Sequence, residues 1–142
     1  MSYDDANHIA TINSADGYQS YVNGGKAGYA VELGGDIDFG GAKINTLTLT
    51  SLDGKGYSIK NAKADNCLFT GYNEGMLGTV KNITFEGIVI NGSGSDSGIF
   101  GSAGAVTRDG HFDNVTFNNC KVEGNANYAG VIVGNSRRIR LI

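Results

Sequence analysis

The chain contains no proline, only two cysteines and few charged side chains, and these shortages exclude several classes of protein. Among 142 residues there are 0 Pro and 2 Cys, and 18% of the residues are charged. Two cysteines cannot form a disulfide framework, and without a C-x-x-C spacing they do not indicate zinc or redox chemistry. A net charge of −3 gives no general attraction for nucleic acid or an anionic membrane. We therefore expect no cofactor and no nucleic-acid partner.

The chain also lacks a long apolar run and a leader-like N-terminus. It begins MSYDDANHIA, with neither a basic n-region nor an apolar h-region. The longest apolar run is far short of the length that spans a membrane. We therefore expect no membrane span. We also expect that the protein either stays in the compartment where it is made or is a piece of a larger protein.

Glycine is abundant, with 23 residues. A G-x-y period is missing, which excludes collagen, and regularly spaced apolar residues argue against a disordered Gly-rich linker. The remaining use for so much glycine is a set of tight, left-handed or closely packed corners.

One stretch of the sequence occurs twice. KNITFEGIVINGSGSDSGIFG, residues 81–101, aligns with DNVTFNNCKVEGNANYAGVIVG, residues 113–134, at an offset of 32 residues. This offset places Phe85 on Phe117 and Gly98 on Gly130. Such a repeat predicts stacked supersecondary units, each of which is unable to bury its apolar face alone.

Apolar and polar residues alternate in both copies. Ile83 and Phe85 in the first copy match Val115 and Phe117 in the second. Period two predicts strands with these side chains facing inward. Cys120 occupies the place of an apolar residue of the first copy, so we interpret it as a small core residue.

A break separates the two short strands of each copy. It is Gly87 in one copy and Asn119 in the other, the two residue types that most readily adopt left-handed backbone geometry. Each copy therefore turns a corner at this point. Asn82 and Asn114 are also equivalent, and we expect them to form a short hydrogen-bonded ladder.

Earlier segments alternate more loosely, at about 23 residues per coil. We predict an all-β fold: a single right-handed parallel β-helix of about five coils over residues 29–142, with residues 1–28 as an N-terminal cap of the same domain. Within the cap, Ser14 and the pair Asn23 and Gly24 mark the start and the end of a short helix.

Two segments of the repeat region have distinctive sequences: LDGKGYSIKN, residues 52–61, and GMLGTVKNITFEG, residues 75–87. With them the chain resembles the GLUG-motif repeats of bacterial surface proteins over roughly residues 10–135. The resemblance implies a right-handed parallel β-helix within a large adhesin or secreted cell-surface protein, and it implies no conserved chemistry. We expect no signal peptide at the start of this sequence, and its last residues, SRRIRLI, are unrelated to the repeat pattern, so the expected setting is a cell surface, the cytoplasm or a phage.

Four polar residues cluster in and just after a segment inserted between the two copies: Arg108, Asp109, His111 and Asp113. Histidine is the usual base near neutral pH, and loops carry function more often than regular elements do. A Ser or Cys nucleophile motif is missing nearby. We therefore predict a ligand-binding loop at these residues and no catalytic residue.

Asp36 and Asp38 are two residues apart, so on a strand they share one face. Paired carboxylates on a parallel β-helix can bind calcium or act as acid and base. Their flanking glycines favour a corner or cap instead. They are weak candidates for a metal site.

We expect a non-enzymatic binding or adhesion module of a bacterial or phage surface protein, contacting a glycan or another protein. One alternative is a small carbohydrate-active enzyme of the polysaccharide-lyase or hydrolase type, in which three or more acids and bases from neighbouring coils would converge on one face. Another is a structural module that forms a homo-oligomer through its C-terminal edge, where Arg137, Arg138 and Arg140 would otherwise blunt the edge with charge.

Overall fold

The computed structural model describes residues 1–71, 78–92, 97–102, 112–124 and 133–135. These residues form fifteen strands and one helix, α1 (Ala15–Gly24). The strands are β1 (Ser2–Asp4), β2 (Ile9–Ile12), β3 (Ala30–Leu33), β4 (Ile37–Asp38), β5 (Leu47–Leu49), β6 (Leu52–Asp53), β7 (Ser58–Lys60), β8 (Lys63–Asp65), β9 (Cys67–Gly71), β10 (Val80–Glu86), β11 (Val89–Gly92), β12 (Gly98–Ser102), β13 (Phe112–Asn118), β14 (Lys121–Gly124) and β15 (Val133–Asn135).

The strands belong to three sheets. Sheet A has eight strands in the order β1-β2-β3-β6-β10-β7-β4, with β13 paired to β10. Sheet B has the order β14-β11-β8, and sheet C has the order β15-β12-β9-β5. The long strand β10 pairs with β6 through its first residues and with β7 through its last. A turn at Gly54, Lys55 and Gly56 separates β6 from β7, and the Lys55 N–H donates to Asp53 Oδ1 at 2.9 Å.

The predicted five-coil parallel β-helix is wrong. Sheet A is mixed because β1 and β2 pair antiparallel. All the other pairs are parallel, and they are divided among three sheets. The described residues therefore show no closed solenoid. The antiparallel start has a local cause: His8 has a positive φ of 55°, and Asp4 accepts a bond from the Asn7 backbone, which together reverse the chain. Intervals between neighbouring strands also vary, since hydrogen-bonded partners lie 21 residues apart at Thr50 and Tyr29 but 32 apart at Asn114 and Asn82.

The register of the two sequence copies is confirmed. β10 and β13 pair in parallel, with Ile83 opposite Val115 and Phe85 opposite Phe117. The two Phe rings stack with their centroids 5.3 Å apart and their planes at 16°. Lys121 lies opposite Val89 on the exposed face of sheet B. Equal sequences in parallel register put like side chains on each other.

The predicted corners are confirmed as well. Gly87 has a φ of 66° and Asn119 a φ of 51°, both in the left-handed region. Asn82 and Asn114 share this geometry, and Asn114 Nδ2 donates to Asn82 Oδ1 at 3.0 Å. A Cβ added at Gly87 would lie 2.7 Å from Asn61 Oδ1, so a side chain there would have to displace the Asn61 amide, and the positive φ also favours glycine.

The core is apolar and its packing weakens towards β13 and β14. Phe69, Phe85 and Phe100 form a buried aromatic cluster with centroid separations of 5.5 to 6.0 Å. By contrast, Val115 and Phe117 of β13 and Val122 of β14 are only partly buried, and within the described residues each of these strands has a paired neighbour on one side only. Cys120, between the two strands, is also half-buried, and burial raises the pKa of its thiol.

The predicted N-terminal helix is confirmed as α1. Ser14 is its N-cap and accepts a hydrogen bond from the Gly17 N–H at 3.0 Å. Tyr18 and Tyr21 bury the inner face of the helix against the core, and the Tyr18 hydroxyl donates to the Asn45 carbonyl at 2.9 Å. Among the residues described, no helix has the length and apolarity needed to cross a membrane.

Candidate functional site

The loop site predicted from the sequence is only partly within the structure. Asp113 lies in β13, is partly exposed, and is directly opposite Lys81 of β10. Arg108, Asp109 and His111 lie outside the described residues. The prediction that these four residues form one ligand-binding site stays a prediction.

Asp36 and Asp38 both make hydrogen bonds that hold the local structure. Asp36 Oδ1 accepts from the Ser58 N–H at 2.9 Å. Asp38 Oδ1 accepts from the Gly40 N–H at 2.8 Å and from Asn61 Nδ2 at 3.1 Å, and these bonds, that of Gly40 first, lower the pKa of Asp38. The carboxylates therefore tie β4 and its turn to β7 and the residue after it. Within the described ranges, His, Cys, Asp and Glu form no group of three or more that could hold a metal ion.

A shallow groove of about 480 Å³ runs over the exposed face of sheet B. We call it the sheet-B groove. Its lining combines lysine, carboxylate and amide side chains: Lys43, Lys63, Ala64, Asp65, Val89, Asn91, Glu123 and Gly124. Strands β8, β11 and β14 form the floor of this groove. In each of them an outward residue is followed by an inward residue and then by another outward residue.

Strand pairing arranges the outward side chains in two rows that cross the strands. The first row is mostly basic and contains Lys43, Lys63, Val89 and Lys121. The second row is acidic or carries an amide and contains Asp65, Asn91 and Glu123. Adjacent strands are about 4.8 Å apart and alternate residues about 7 Å apart, so the rows run side by side as a ladder of charged and polar groups.

Both ends of the ladder are closed by ion pairs. Lys43 Nζ contacts Asp65 Oδ2 at one end, and Lys121 Nζ lies 3.6 Å from Glu123 Oε1 at the other. Asn91 Nδ2 donates to Asp65 Oδ1 at 3.3 Å. The bond from Lys43, followed by that from Asn91, lowers the pKa of Asp65, so this carboxylate is ionised at neutral pH.

Lys63 lies in the middle of the basic row, next to Val89 on β11. Its side chain is exposed, and it forms no ion pair with any residue that the structure describes. The groove thus presents one open ammonium group between two neutralised pairs.

A second charged cluster lies on sheet A. Glu32, Asp53 and Lys81 are opposite one another on β3, β6 and β10, and Asp113 extends the same row on β13. Lys55 Nζ is 3.5 Å from Glu32 Oε1 and 3.8 Å from Asp53 Oδ2, and Lys81 Nζ is 3.9 Å from Asp53 Oδ2. A shallow pocket of about 330 Å³ covers this cluster. Within this cluster, Glu32 and Asp53 are neutralised by Lys55 and Lys81.

The sequence interpretation missed the sheet-B groove. The signal was present in three short segments of matching pattern: Lys63-Ala64-Asp65, Val89-Ile90-Asn91 and Lys121-Val122-Glu123. Alternation identifies the inward residues of each strand, but it does not show which outward residues of distant strands share a surface. The pattern becomes clear only when β8 is aligned with β11 and β14 as a third copy. The unequal spacing of the three segments, 26 and 32 residues, conceals that alignment in the sequence.

Comparison of the chain with models of protein families, with curated proteins and with solved structures finds no match in any of the three. The resemblance to GLUG-motif repeats stays a prediction. The two charged surfaces are therefore the features of the structure from which a function can be inferred.

Proposed function

We propose that this protein is a non-enzymatic binding module that holds a glycan in the sheet-B groove. The observation that carries the proposal is the pair of in-register rows, which presents ammonium donors along one side and carboxylate or amide acceptors along the other. A surface protein of a bacterium or phage is the setting that we propose for it, in line with the GLUG-motif resemblance.

The chemistry of the rows suits a polyhydroxylated chain. Each sugar hydroxyl both donates and accepts, so it can bond to a carboxylate or amide on one row and to an ammonium on the other. The rows repeat from strand to strand, which suits a ligand that itself repeats. Binding surfaces for proteins usually centre on aromatic or arginine anchors. The lining of this groove contains neither, and Val89 is its largest apolar side chain, so a glycan fits better than a protein.

The test is binding of the full chain to a panel of soluble oligosaccharides, measured by calorimetry. We expect at least one to bind, and Asn91→Ala to weaken that affinity about tenfold, because it removes one polar contact at the centre of the groove. Asn23→Ala, at an exposed position near the end of α1, is the matched control. The proposal fails if no glycan binds, or if both variants bind as the original chain does.

The cluster on sheet A favours a second candidate, a carbohydrate-active enzyme of the polysaccharide-lyase or hydrolase type. The observation is that two acids and two bases, three on neighbouring strands and Lys55 in the turn after β6, meet on one face: Glu32, Asp53, Lys55 and Lys81. The same oligosaccharides, incubated with the protein with and without calcium, test it. Cleavage that is lost in Asp53→Asn would establish this candidate and overturn the first one, whereas binding without turnover would exclude it.

A further inference from the structure

The charges of the two rows are unequal in number. The rows contain three lysines, Lys43, Lys63 and Lys121, and two carboxylates, Asp65 and Glu123, with Lys121 at the end of the basic row, next to the groove and not in its lining. The two rows together therefore have one excess positive charge, in a chain whose net charge is −3. Because the chain as a whole is negatively charged, a local excess of positive charge gives an anionic ligand a reason to bind at this face.

The excess charge has a defined position. Lys43 and Lys121 are held by their own carboxylates, so a ligand that bound to them would first have to displace an ion pair. Lys63 needs no displacement, since no described residue pairs with it. A charge-assisted hydrogen bond to an ammonium is roughly twice as strong as a neutral one, so the strongest single contact of the groove is at Lys63.

The surroundings of Lys63 leave room for such a group. Its neighbour across the strand pair is the short apolar side chain of Val89, which neither competes for the anion nor repels it. The next outward residue of β11 is Asn91, whose amide nitrogen is already bonded to Asp65. Its carbonyl oxygen Oδ1 is then the acceptor for a ligand hydroxyl next to the anionic group.

We propose that the groove selects an acidic glycan and places one carboxylate or sulfate group of the sugar chain on Lys63. This inference rests on the proposed glycan-binding function and adds the ligand class to it. The flanking ion pairs, Lys43 with Asp65 and Lys121 with Glu123, form hydrogen bonds with neutral hydroxyl groups of the same sugar chain. The favoured ligand is one with isolated negative charges, because a densely charged polymer would meet the carboxylates of the second row.

The experiment compares matched ligands on the full chain by calorimetry. The ligands are a partly methyl-esterified oligogalacturonate with isolated free carboxylates (the free acid), its fully methyl-esterified form (the ester), and a galactan oligomer that carries isolated sulfate groups. We expect the free acid to bind about tenfold more tightly than the ester, and this preference to shrink as salt is added. The sulfated oligomer shows whether a sulfate can replace the carboxylate.

The variant is Lys63→Gln, and its control is Lys60→Gln, which removes the same charge from β7 of sheet A. We expect K63Q to bind acid and ester equally and K60Q to keep the tenfold preference. Equal binding of acid and ester by the original chain, a preference retained in K63Q, or the same loss in both variants would overturn the role of Lys63 while glycan binding stands. If none of the three ligands nor any member of the wider panel binds, the glycan-binding function fails and this inference fails with it.

Discussion

Removal of the Phe85 ring is the sharpest test of how the repeated copies stack. Phe85 is 0% exposed and contacts three other rings, with centroid separations of 6.0 Å to Phe69, 5.8 Å to Phe100 and 5.3 Å to Phe117. Its neighbours belong to strands of sheets A and C, so they cannot close the space by a small local shift. We expect Phe85→Ala to lower the free energy of unfolding by about 3 to 5 kcal/mol.

Phe117 gives the contrast. It matches Phe85 in the sequence but is only partly buried, and Phe85 is its one ring partner among the described residues. Less apolar area is lost on truncation and the cavity opens towards solvent, so we expect Phe117→Ala to cost about 1 to 3 kcal/mol. The double variant should reveal a coupling of about 0.5 to 1.5 kcal/mol between the stacked rings.

Urea unfolding followed by far-ultraviolet circular dichroism measures these differences. The slopes of the transitions should agree among the variants, so that midpoints compare stability directly. Tyr57→Ala, at a side chain that is 39% exposed, is the control and should change stability by less than about 0.5 kcal/mol. A loss below about 1 kcal/mol for Phe85→Ala, or an equal loss at both Phe positions, would refute the packing that we describe.

Two further predictions concern a buried hydroxyl and an exposed ion pair. Ser97 is 0% exposed and its hydroxyl has no hydrogen-bond partner among the residues described, so Ser97→Ala should leave the urea midpoint unchanged or raise stability by up to about 1 kcal/mol; a clear loss would reveal a missing partner. Lys26 and Asp5 are 2.7 Å apart, and their hydrogen bond lowers the pKa of Asp5 and raises that of Lys26. The pair therefore stabilises the fold at pH values between the ordinary pKa of Asp and the ordinary pKa of Lys. This contribution disappears as the pH falls through the lowered pKa of Asp5 or rises through the raised pKa of Lys26. Lys26→Met should lower the melting temperature at pH 7 and have little effect at about pH 2, and an equal effect at both would contradict this linkage.

The candidate sites were less predictable than the strands. The sequence predicts that Asp113 belongs with three loop residues, whereas the structure places it beside Lys81 in a row of charges on sheet A. The spacing of Asp36 and Asp38 predicts a pair on one face, and their bonds to Ser58 and Gly40 give both carboxylates a structural role. Which outward side chains share a surface depends on the pairing of distant strands, and a local pattern carries no information about that.

The sequence by itself determined the local backbone and the stacking of its two copies. Alternation fixed which side chains face inward, the left-handed preferences of Gly87 and Asn119 fixed the corners, and a constant offset of 32 residues fixed the pairing of Phe85 with Phe117. These features depend on side-chain periodicity and backbone sterics, which act over a few residues or between equal sequences.

Only the tertiary structure decided how the strands divide into three sheets, where an antiparallel pair begins sheet A, and which polar residues form the sheet-B groove. Asp65 meets Asn91 across 26 residues, whereas Asn82 meets Asn114 across 32, because the connecting segments differ in length. Loop closure costs little extra as a connection lengthens, so the chain tolerates unequal intervals while the packing of the core sets the final register.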